Sequence, residues 1–296
     1  MDTDHPDLYA DRPGRMDNTM DRLSEILNRF SMNAEVFFSG NLCGIQAFGG
    51  DQSDGGSLHL LKSGTLAFIN DEGHKIVLDR PAVIFIPKMF KHRIIANESE
   101  GAELVCANIH YGDGLSNPLA NALPKFLYFE LENSNLMGQS AEWLFREAFE
   151  DRYGRQPMID RLTDIFLIQV LRQVLDEGTV SHGLMAGLSH PQLSRALAAM
   201  HREPQAQWTL ETMAAEASMS RSKFAELFRE IIGQPPGDYI TEWRIAVAQG
   251  LLKKNKPVGL VANEVGYENG SALARVFRKK TGLSPREWLD KVRSKS

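Results

Sequence analysis

The stretch SMSRSKFAELFREIIGQPP, residues 218–236, recurs in altered form as YENGSALARVFRKKTGLSP, residues 267–285. An offset of 49 positions brings the two segments into register, with apolar residues on apolar residues. An internal repeat of this kind indicates that one supersecondary unit has been used twice, and it decides the fold of this part of the chain. The identical positions include Phe228 with Phe277, Gly233 with Gly282, and Pro236 with Pro285.

Each copy predicts two helices joined by a tight turn. In the first copy, Thr209 and Ser220 are expected to cap the two helices through their hydroxyl groups. In the second copy, Gly266 marks the turn. Ala214 and Ala262 are small residues at the points where the paired helices would cross closely. The segment between the copies, residues 235–255, is long enough for one connecting helix.

The second helix of each copy has an apolar stripe for the core and a polar outer face. This pattern is typical of the helix-turn-helix, whose second helix enters the major groove of DNA. Two such units on one connector could reach successive major grooves, about 34 Å apart. The alternative is a helical hairpin repeat that binds no nucleic acid. The candidate DNA-contacting residues are Arg221, Ser222, Lys223, Glu226, Ser271, Ala274, Arg275, Arg278 and Lys279.

The charge distribution supports a polyanionic partner for the C-terminal part. The whole chain has a formal net charge of −5, with 33 basic and 38 acidic residues. From Leu184 onward, 17 Lys and Arg face 11 Asp and Glu, so this part is net basic while the remainder is strongly acidic. A basic region joined to an acidic body indicates that only one part meets DNA.

Length and composition predict a protein of two domains without a membrane span. The chain has 296 residues, of which 43% are hydrophobic and 24% charged. No apolar run approaches the ~20 residues that span a bilayer. The acidic N-terminus lacks the apolar core of a secretion signal. Two cysteines in a chain of this length do not indicate a fold that is stabilised by disulfides. We therefore expect a cytoplasmic protein.

The periodicity divides the chain into a β-rich part and a helical part. Short apolar and β-branched runs from about residue 34 to residue 111 predict a small sandwich or barrel. After Pro118 the periodicity is helical, and the apolar stripe of residues 159–174 forms either a dimer seam or the cap of the β-core. The fold class is α+β. The predicted parts are a flexible tail (1–19), a sensor domain with a helical dimerisation or linker segment (20–178), a linker (179–188), and a DNA-binding domain (189–296).

The segment VANEVGYENGSALARVFRKKTGLSPREW, residues 261–288, closely resembles the signature of the AraC/XylS family of transcriptional regulators. The resemblance implies a domain of seven helices with two helix-turn-helix units. It also implies double-stranded promoter DNA and RNA polymerase as partners. Base-reading positions would lie near Ser222, Lys223 and Glu226, and near Ser271, Ala274 and Arg275. Glu226 departs from the basic residue that many members carry, although a carboxylate can accept a hydrogen bond from cytosine.

The β-rich half resembles the cupin-type domain found at the N-terminus of many family members. His59 in SLHLLKSG and His92, five residues after Pro87, match the histidine positions of the two cupin motifs. The segment lacks the second histidine and the glutamate of the enzymatic first motif. We therefore expect a sensor and no enzyme, with a cupin enzyme or a domain that binds a small organic ligand as the alternatives.

Two cysteines flank the histidine-bearing segments and leave three interpretations open. Cys43 and Cys106 could be inert core thiols, because cysteine is often buried. They could form a redox switch, and the arrangement resembles a cysteine-bearing family subgroup that includes responders to reactive chlorine. Together with His59 and His92 they also have the composition of a tetrahedral zinc site.

Overall fold

The structure is a computed structural model, and it describes residues 23–49, 55–112, 117–132 and 135–294. The predicted tail, residues 1–19, lies outside the described residues. A short helix, α1 (Ser24–Arg29), precedes the β-rich domain.

Nine strands make up two antiparallel sheets in the described part of the β-rich domain. The large sheet has the order β1-β8-β3-β6-β9, and the small sheet has the order β2-β7-β4-β5. The two sheets face each other as a sandwich and do not form a closed barrel. The predicted α+β class with a cupin-like domain is confirmed. The strands are β1 (Met32–Leu42), β2 (Gly44–Phe48), β3 (Gly56–Gly64), β4 (Leu66–Ile69), β5 (Lys75–Leu78), β6 (Ala82–Ile86), β7 (His92–Ala96), β8 (Ala102–Tyr111) and β9 (Leu127–Glu130).

The large sheet is buried on both faces. Every residue of β6 is buried, because Ile84 and its alternate neighbours face the small sheet while Val83 and Phe85 face helices. Strands of this kind carry continuous apolar runs instead of alternating patterns. The run AVIFIP therefore reflects the central position of β6 in the sandwich.

Two helices, α3 (Leu136–Phe149) and α4 (Arg155–Glu177), cover the outer face of the large sheet. The apolar stripe of α4, including Ile159, Phe166 and Val174, is buried within the chain, so it caps the β-core and is not free to form a dimer seam. The carboxylates of Asp160 and Asp164 accept hydrogen bonds from the backbone of β1 at 2.9 and 2.7 Å. These bonds satisfy N–H groups of an edge strand.

The C-terminal part is helical throughout its described residues, and none of its helices is long and apolar enough to cross a bilayer. From residue 193 to residue 294 there are seven helices, in agreement with the family resemblance. The helices are α6 (Leu193–Arg202), α7 (Leu210–Glu216), α8 (Arg221–Ile232), α9 (Pro236–Lys253), α10 (Val258–Glu264), α11 (Gly270–Thr281) and α12 (Pro285–Arg293).

The β-rich and helical parts share one continuous apolar core. Phe30, directly after α1, packs edge-on against Trp243 of α9, with ring centroids 5.0 Å apart. Lys253 Nζ donates to the carbonyl oxygen of Gly112, and an Arg29 N–H donates to the carbonyl oxygen of Arg202. The helical part is thus tied to the sensor domain at several points besides the connecting chain.

Two elements differ from the sequence expectations. Strand β9 lies after Pro118, where we expected only helices, although it follows the short helix α2 (Pro118–Ala122). Helix α5 (Leu184–Ser189) occupies much of the predicted linker, residues 179–188. The missed strand pairs with β6 through four residue pairs, so tertiary pairing stabilises a segment whose local pattern is ambiguous.

Candidate functional site

The first helix-turn-helix unit consists of α7 and α8. The Thr209 hydroxyl accepts from the backbone N–H of Thr212 and forms a capping box, as the sequence predicts. The turn passes through Ser218 at a φ of 53°. Ser220 occupies the cap position of α8 but makes no side-chain cap hydrogen bond, so that part of the prediction is wrong. Gly233 ends α8 in the left-handed conformation that favours glycine.

The second unit consists of α10 and α11, and its turn is one residue longer. Asn269, which the sequence analysis did not single out, caps α11 by accepting from Ala272 N–H at 2.9 Å. Gly266 has a φ of 85°, and a Cβ there would lie 2.9 Å from the Cα of Gln205 and 2.9 Å from an Arg244 nitrogen. The predicted turn glycine is therefore required by both conformation and space.

The polar faces of α8 and α11 point away from the core. Phe224, Phe228, Leu273 and Phe277 are fully buried and hold the two helices against their units. Of the nine predicted contact residues, Ala274 is half-buried and the other eight are exposed. The exposed eight are Arg221, Ser222, Lys223, Glu226, Ser271, Arg275, Arg278 and Lys279.

Ion pairs distinguish the basic residues at the end of α11. Arg278 donates to Glu287 at 3.0 Å, and Glu287 also accepts from the Ser284 backbone as part of the α12 cap. These hydrogen bonds, first those with Ser284, lower the pKa of the Glu287 carboxyl to about 2. Lys280 pairs with Glu242 of α9 at 2.9 Å and so lies toward the connector. Lys279 is the neighbouring cation that has no such partner among the described residues.

Inside the sandwich, the structure brings three of the four predicted sensor residues together. His59 on β3 lies directly opposite Cys106 on β8, and opposite residues on neighbouring strands share one face. His59 Nδ1 is 3.2 Å from Cys106 Sγ, and its Nε2 is 2.9 Å from His92 Nε2 and 3.1 Å from Ser57 Oγ. We call His59, His92 and Cys106 the sensor cluster.

The hydrogen bonds of the sensor cluster have one consistent direction when both rings are neutral. His92 Nδ1 lies 2.9 Å from the carbonyl oxygen of Phe90, which can only accept, so Nδ1 carries the proton. His92 Nε2 is then an acceptor, and His59 Nε2–H donates to it. His59 Nδ1 is left as the acceptor for the Cys106 S–H. A proton of the thiol therefore has a base in contact with it.

Burial keeps the cluster uncharged. Burial and, second, the neighbouring His92 lower the pKa of His59 to about 3. Burial raises the pKa of the Cys106 thiol to about 12. Burial also lowers the pKa of His92, which stacks on Phe48 at a centroid distance of 5.1 Å. At neutral pH the resting state is thus a thiol with two neutral imidazoles.

Cys43 lies apart from the sensor cluster. It is exposed in the connection between β1 and β2, whereas Cys106 is buried, and both are free thiols. On β8, Ala102 pairs with Leu42 and Cys106 pairs with Phe38. The four intervening steps along β8 correspond to about 13 Å. A disulfide requires Cα atoms within about 7 Å, so this arrangement does not permit a Cys43–Cys106 bridge.

The four predicted zinc ligands do not converge. His59 uses its two ring nitrogens toward different partners on opposite sides of the ring, and one ion can bind only one of them. Cys43 lies at the far end of β1. Among the residues that the structure describes, no group of three or more His, Cys, Asp or Glu side chains is placed to hold a metal ion.

Comparisons with known proteins agree with this two-part architecture. Residues 21–176, more than half of the chain, match the family described as Cupin, and residues 213–291 match a helix-turn-helix domain. A cupin domain joined to paired helix-turn-helix units defines a DNA-binding regulator of transcription. The chain belongs to the AraC-type family of helix-turn-helix transcriptional regulators with an N-terminal cupin domain.

Individual relatives are regulators as well. The HTH-type transcriptional regulator AlkR of Acinetobacter baylyi is 27% identical, over 91% of this chain and 99% of that protein. The RCS-specific HTH-type transcriptional activator RclR of Escherichia coli is 25% identical, over 79% of this chain and 84% of that protein. Among solved structures, the DNA-binding domain of AdpA in complex with a target DNA is 31% identical, over 36% of this chain and 96% of that chain, with a TM-score of 0.34.

Proposed function

We propose that this chain is a cytoplasmic, sequence-specific transcriptional regulator whose DNA binding is controlled by oxidation of Cys106. The observation that carries the control step is the contact between the Cys106 thiol and His59 Nδ1, in a chain that continues to His92. RclR, the relative named RCS-specific, supports an oxidant as the effector. The regulator would act on promoter DNA with RNA polymerase as a further partner, as a homodimer and without enzymatic turnover.

On the DNA side, α8 and α11 would each enter a major groove. Ser222, Lys223 and Glu226 would contact bases from α8, and Ser271, Ala274 and Arg275 would do so from α11. Arg221, Arg278 and Lys279 would bind phosphates, which position the protein without reading sequence. Arg278 would have to share its guanidinium between a phosphate and Glu287.

Arg275 and Lys279 give a matched test of this division. Arg275 is exposed on the outer face of α11, where a guanidinium can bind guanine through two hydrogen bonds. Arg275→Ala should weaken binding to the selected site by about 1–3 kcal/mol and relax preference at one base pair. Lys279→Ala should weaken binding to all sequences alike. Fluorescence anisotropy would measure the affinity of each variant for the selected site and for scrambled DNA. If Arg275→Ala, like Lys279→Ala, weakened binding to both DNAs by the same factor, the proposal would be contradicted.

On the sensor side, the proposed step converts the thiol to a sulfenic acid. The thiolate is the reactive form of cysteine. Because burial keeps both groups neutral at rest, the S–H proton would leave only as the sulfur attacks the oxidant, and His59 Nδ1 is placed to accept it. Overall, Cys–SH and an oxidant HO–X become Cys–SOH and HX, where X is OH or Cl. Sulfur loses two electrons to the oxidant, and His59 returns the proton to the leaving group.

Zinc binding by Cys43, His59, His92 and Cys106 is not what this geometry supports. It would require His59 to turn one nitrogen away from its present partner and Cys43 to move about 13 Å along the strand direction. An oxidisable thiol with an adjacent base needs no such rearrangement. We therefore propose redox control rather than metal release.

Trapping of the sulfenic acid tests the sensor step. The full chain would be treated with dilute peroxide and dimedone, and the labelled cysteine would be identified by mass spectrometry. We expect labelling of Cys106, slowed by about 10²–10⁴-fold in His59→Gln because the general base is lost. His110→Gln is the control, since His110 also lies on the β-domain but is exposed and bound to Glu35. Labelling of Cys43 alone, or an unchanged rate in His59→Gln, would contradict the step.

A further inference from the structure

We propose that residues 117–126, here called the strap, close the sensor cluster off from solvent and couple its state to the first DNA-reading helix. The inference rests on the proposed role of Cys106. The strap comprises Asn117, helix α2 and the loop of residues 123–126 that leads into β9. Its two ends contact different parts of the molecule.

The C-terminal end of the strap covers the end of the sandwich at which the sensor cluster lies. Lys125 Nζ binds Asp71 Oδ1 at 2.7 Å and Glu72 Oε1 at 2.5 Å, both in the turn between β4 and β5. The same ammonium group lies 5.0 Å from the centroid of the Phe90 ring. Lys125 therefore ties three loops of this end together.

Aromatic rings connect that closure to the sensor cluster. Phe126 packs against Phe68 at 5.5 Å, and both Phe68 and Phe90 pack against the His92 ring at 5.5 and 5.6 Å. Release of Lys125 would free Phe90 and Phe126 to move and would admit water or a reagent toward His92. In the closed state His59 is fully buried and Cys106 is 1% exposed, so a reagent needs such an opening.

The N-terminal end of the strap contacts the helical domain. Leu119 and Ala120 are buried in the core that both domains share, and Asn121 and Ala122 line a cleft of about 960 Å³ with residues of α9 and α12. Ala122 and Gly183 line this cleft together, and helix α2 packs against α5, which begins directly after Gly183. Only three residues separate this contact from Phe126.

Gly183 continues the connection to α8. Its N–H donates to the carbonyl oxygen of Ile231, near the end of α8, at 2.7 Å. Directly after it, α5 packs so closely on α8 that a Cβ on Gly187 would lie 2.4 Å from Ile232 Cδ1. Movement of the strap would therefore change the support of the first DNA-reading helix. The coupling runs through packed elements, which is the physical requirement for a transmitted change.

The rate of Cys106 alkylation tests the closure. In a Cys43→Ser background, Cys106 is the single thiol of the chain. Lys125→Met should raise the rate of reaction with N-ethylmaleimide about fivefold, the effect expected from losing two partly exposed ion pairs. Asp71→Asn with Glu72→Gln should give the same increase, while Lys91→Met, which removes a charge from the adjacent loop, should not. An unchanged rate in both clamp variants would overturn the closure.

Hydrogen exchange tests the coupling in the same proteins. Lys125→Met should speed amide exchange at Gly183 and in α5, and Lys91→Met should leave it unchanged. Faster alkylation without faster exchange at these amides would overturn the transmission. Should Lys125→Met not fold, high salt on the Cys43→Ser protein should raise both rates by screening the ion pairs. Neither readout uses an oxidant or DNA, so failure here is distinct from failure of Cys106 as the redox site.

Discussion

Burial lowers the pKa of one histidine in each domain, His59 and His201, yet the two neutral rings have different roles. His59 is in contact with a thiol and with a second imidazole, so its neutral ring is a base beside an oxidisable atom. His201 on α6 is bound to the Tyr239 hydroxyl at 2.6 Å and stacks on Trp243 at 3.7 Å, with no reactive group in contact. Its neutral ring serves the packing of α6 on α9. The partner, rather than the residue type, decides the role.

The buried His201 predicts a loss of stability in acid. Burial and, second, Arg29 lower its pKa to about 3, whereas in the unfolded chain it is near 6.5. Below pH 6.5 the unfolded chain therefore binds a proton that the folded protein does not, which favours unfolding by about 1.4 kcal/mol per pH unit. Between pH 6.5 and pH 5, His201 should account for a loss of about 2 kcal/mol in the free energy of unfolding.

Urea unfolding at several pH values measures this effect. His201→Phe retains an aromatic ring against Trp243 but cannot titrate, so its stability should fall less steeply in acid than that of the wild type. The exposed His74 provides the control substitution, His74→Gln, which should keep the wild-type slope. Parallel curves for His201→Phe and the wild type would show that the buried ring is not the source.

At this scale the sequence predicted the residue types of the sensor cluster better than their arrangement. His59, His92 and Cys106 came from the cupin resemblance and the strand pattern, and they do meet. Ser57 could have been added, because it is two positions from His59 on the same strand face. The separation of Cys43 depends on the register of β1 with β8, which no local pattern reveals.

The two helix-turn-helix units show how one repeat is stabilised by different local interactions. Their helices agree in order and length, yet the first turn uses Ser218 in the left-handed conformation and the second uses Gly266. The cap of α8 lacks a side-chain hydrogen bond, while α11 has Asn269. Ser220 and Asn269 occupy the same cap position, directly before their helices, so the difference lies in the side-chain hydrogen bond.

This difference predicts unequal effects of two matched substitutions. Asn269→Ala removes a hydrogen bond to Ala272 N–H and should lower the free energy of unfolding by about 1 kcal/mol. Ser220→Ala removes no such bond and should change it by less than about 0.5 kcal/mol. Midpoints of urea unfolding at constant m-value check both. Equal losses would show that Ser220 caps α8 in solution.

Helical elements were easier to predict than strands for a physical reason. The stripes of α4, α8 and α11 repeat over several turns, so each apolar residue confirms the others. Strand β9 has four residues, and its position depends on pairing with β6. Strand β6 begins at Ala82, which is 45 residues before Leu127, the first residue of β9. Helix α5 is also short, and its glycine-containing sequence resembles a linker.

At the scale of the whole molecule, the sensor and DNA-binding parts share one continuous hydrophobic core. Three contacts join them at separate points. The Phe30 ring packs on Trp243, Lys253 donates a hydrogen bond to the carbonyl oxygen of Gly112, and the N–H of Gly183 donates to the carbonyl oxygen of Ile231. A chemical change in the sandwich therefore has several routes by which to alter the support of α8 and α9. A regulator whose two domains were joined only by a flexible linker would lack these routes.

Control of DNA binding by Cys106 is tested most directly by the affinity of the full chain for a selected DNA fragment before and after peroxide or hypochlorite treatment. We expect the dissociation constant of the wild type and of Cys43→Ser to change by about 5–150-fold, the usual range of coupling between sites. Cys106→Ser should bind the fragment with an affinity that the oxidant leaves unchanged. A Cys106→Ser protein that responds with the amplitude of the wild type would contradict the proposed control.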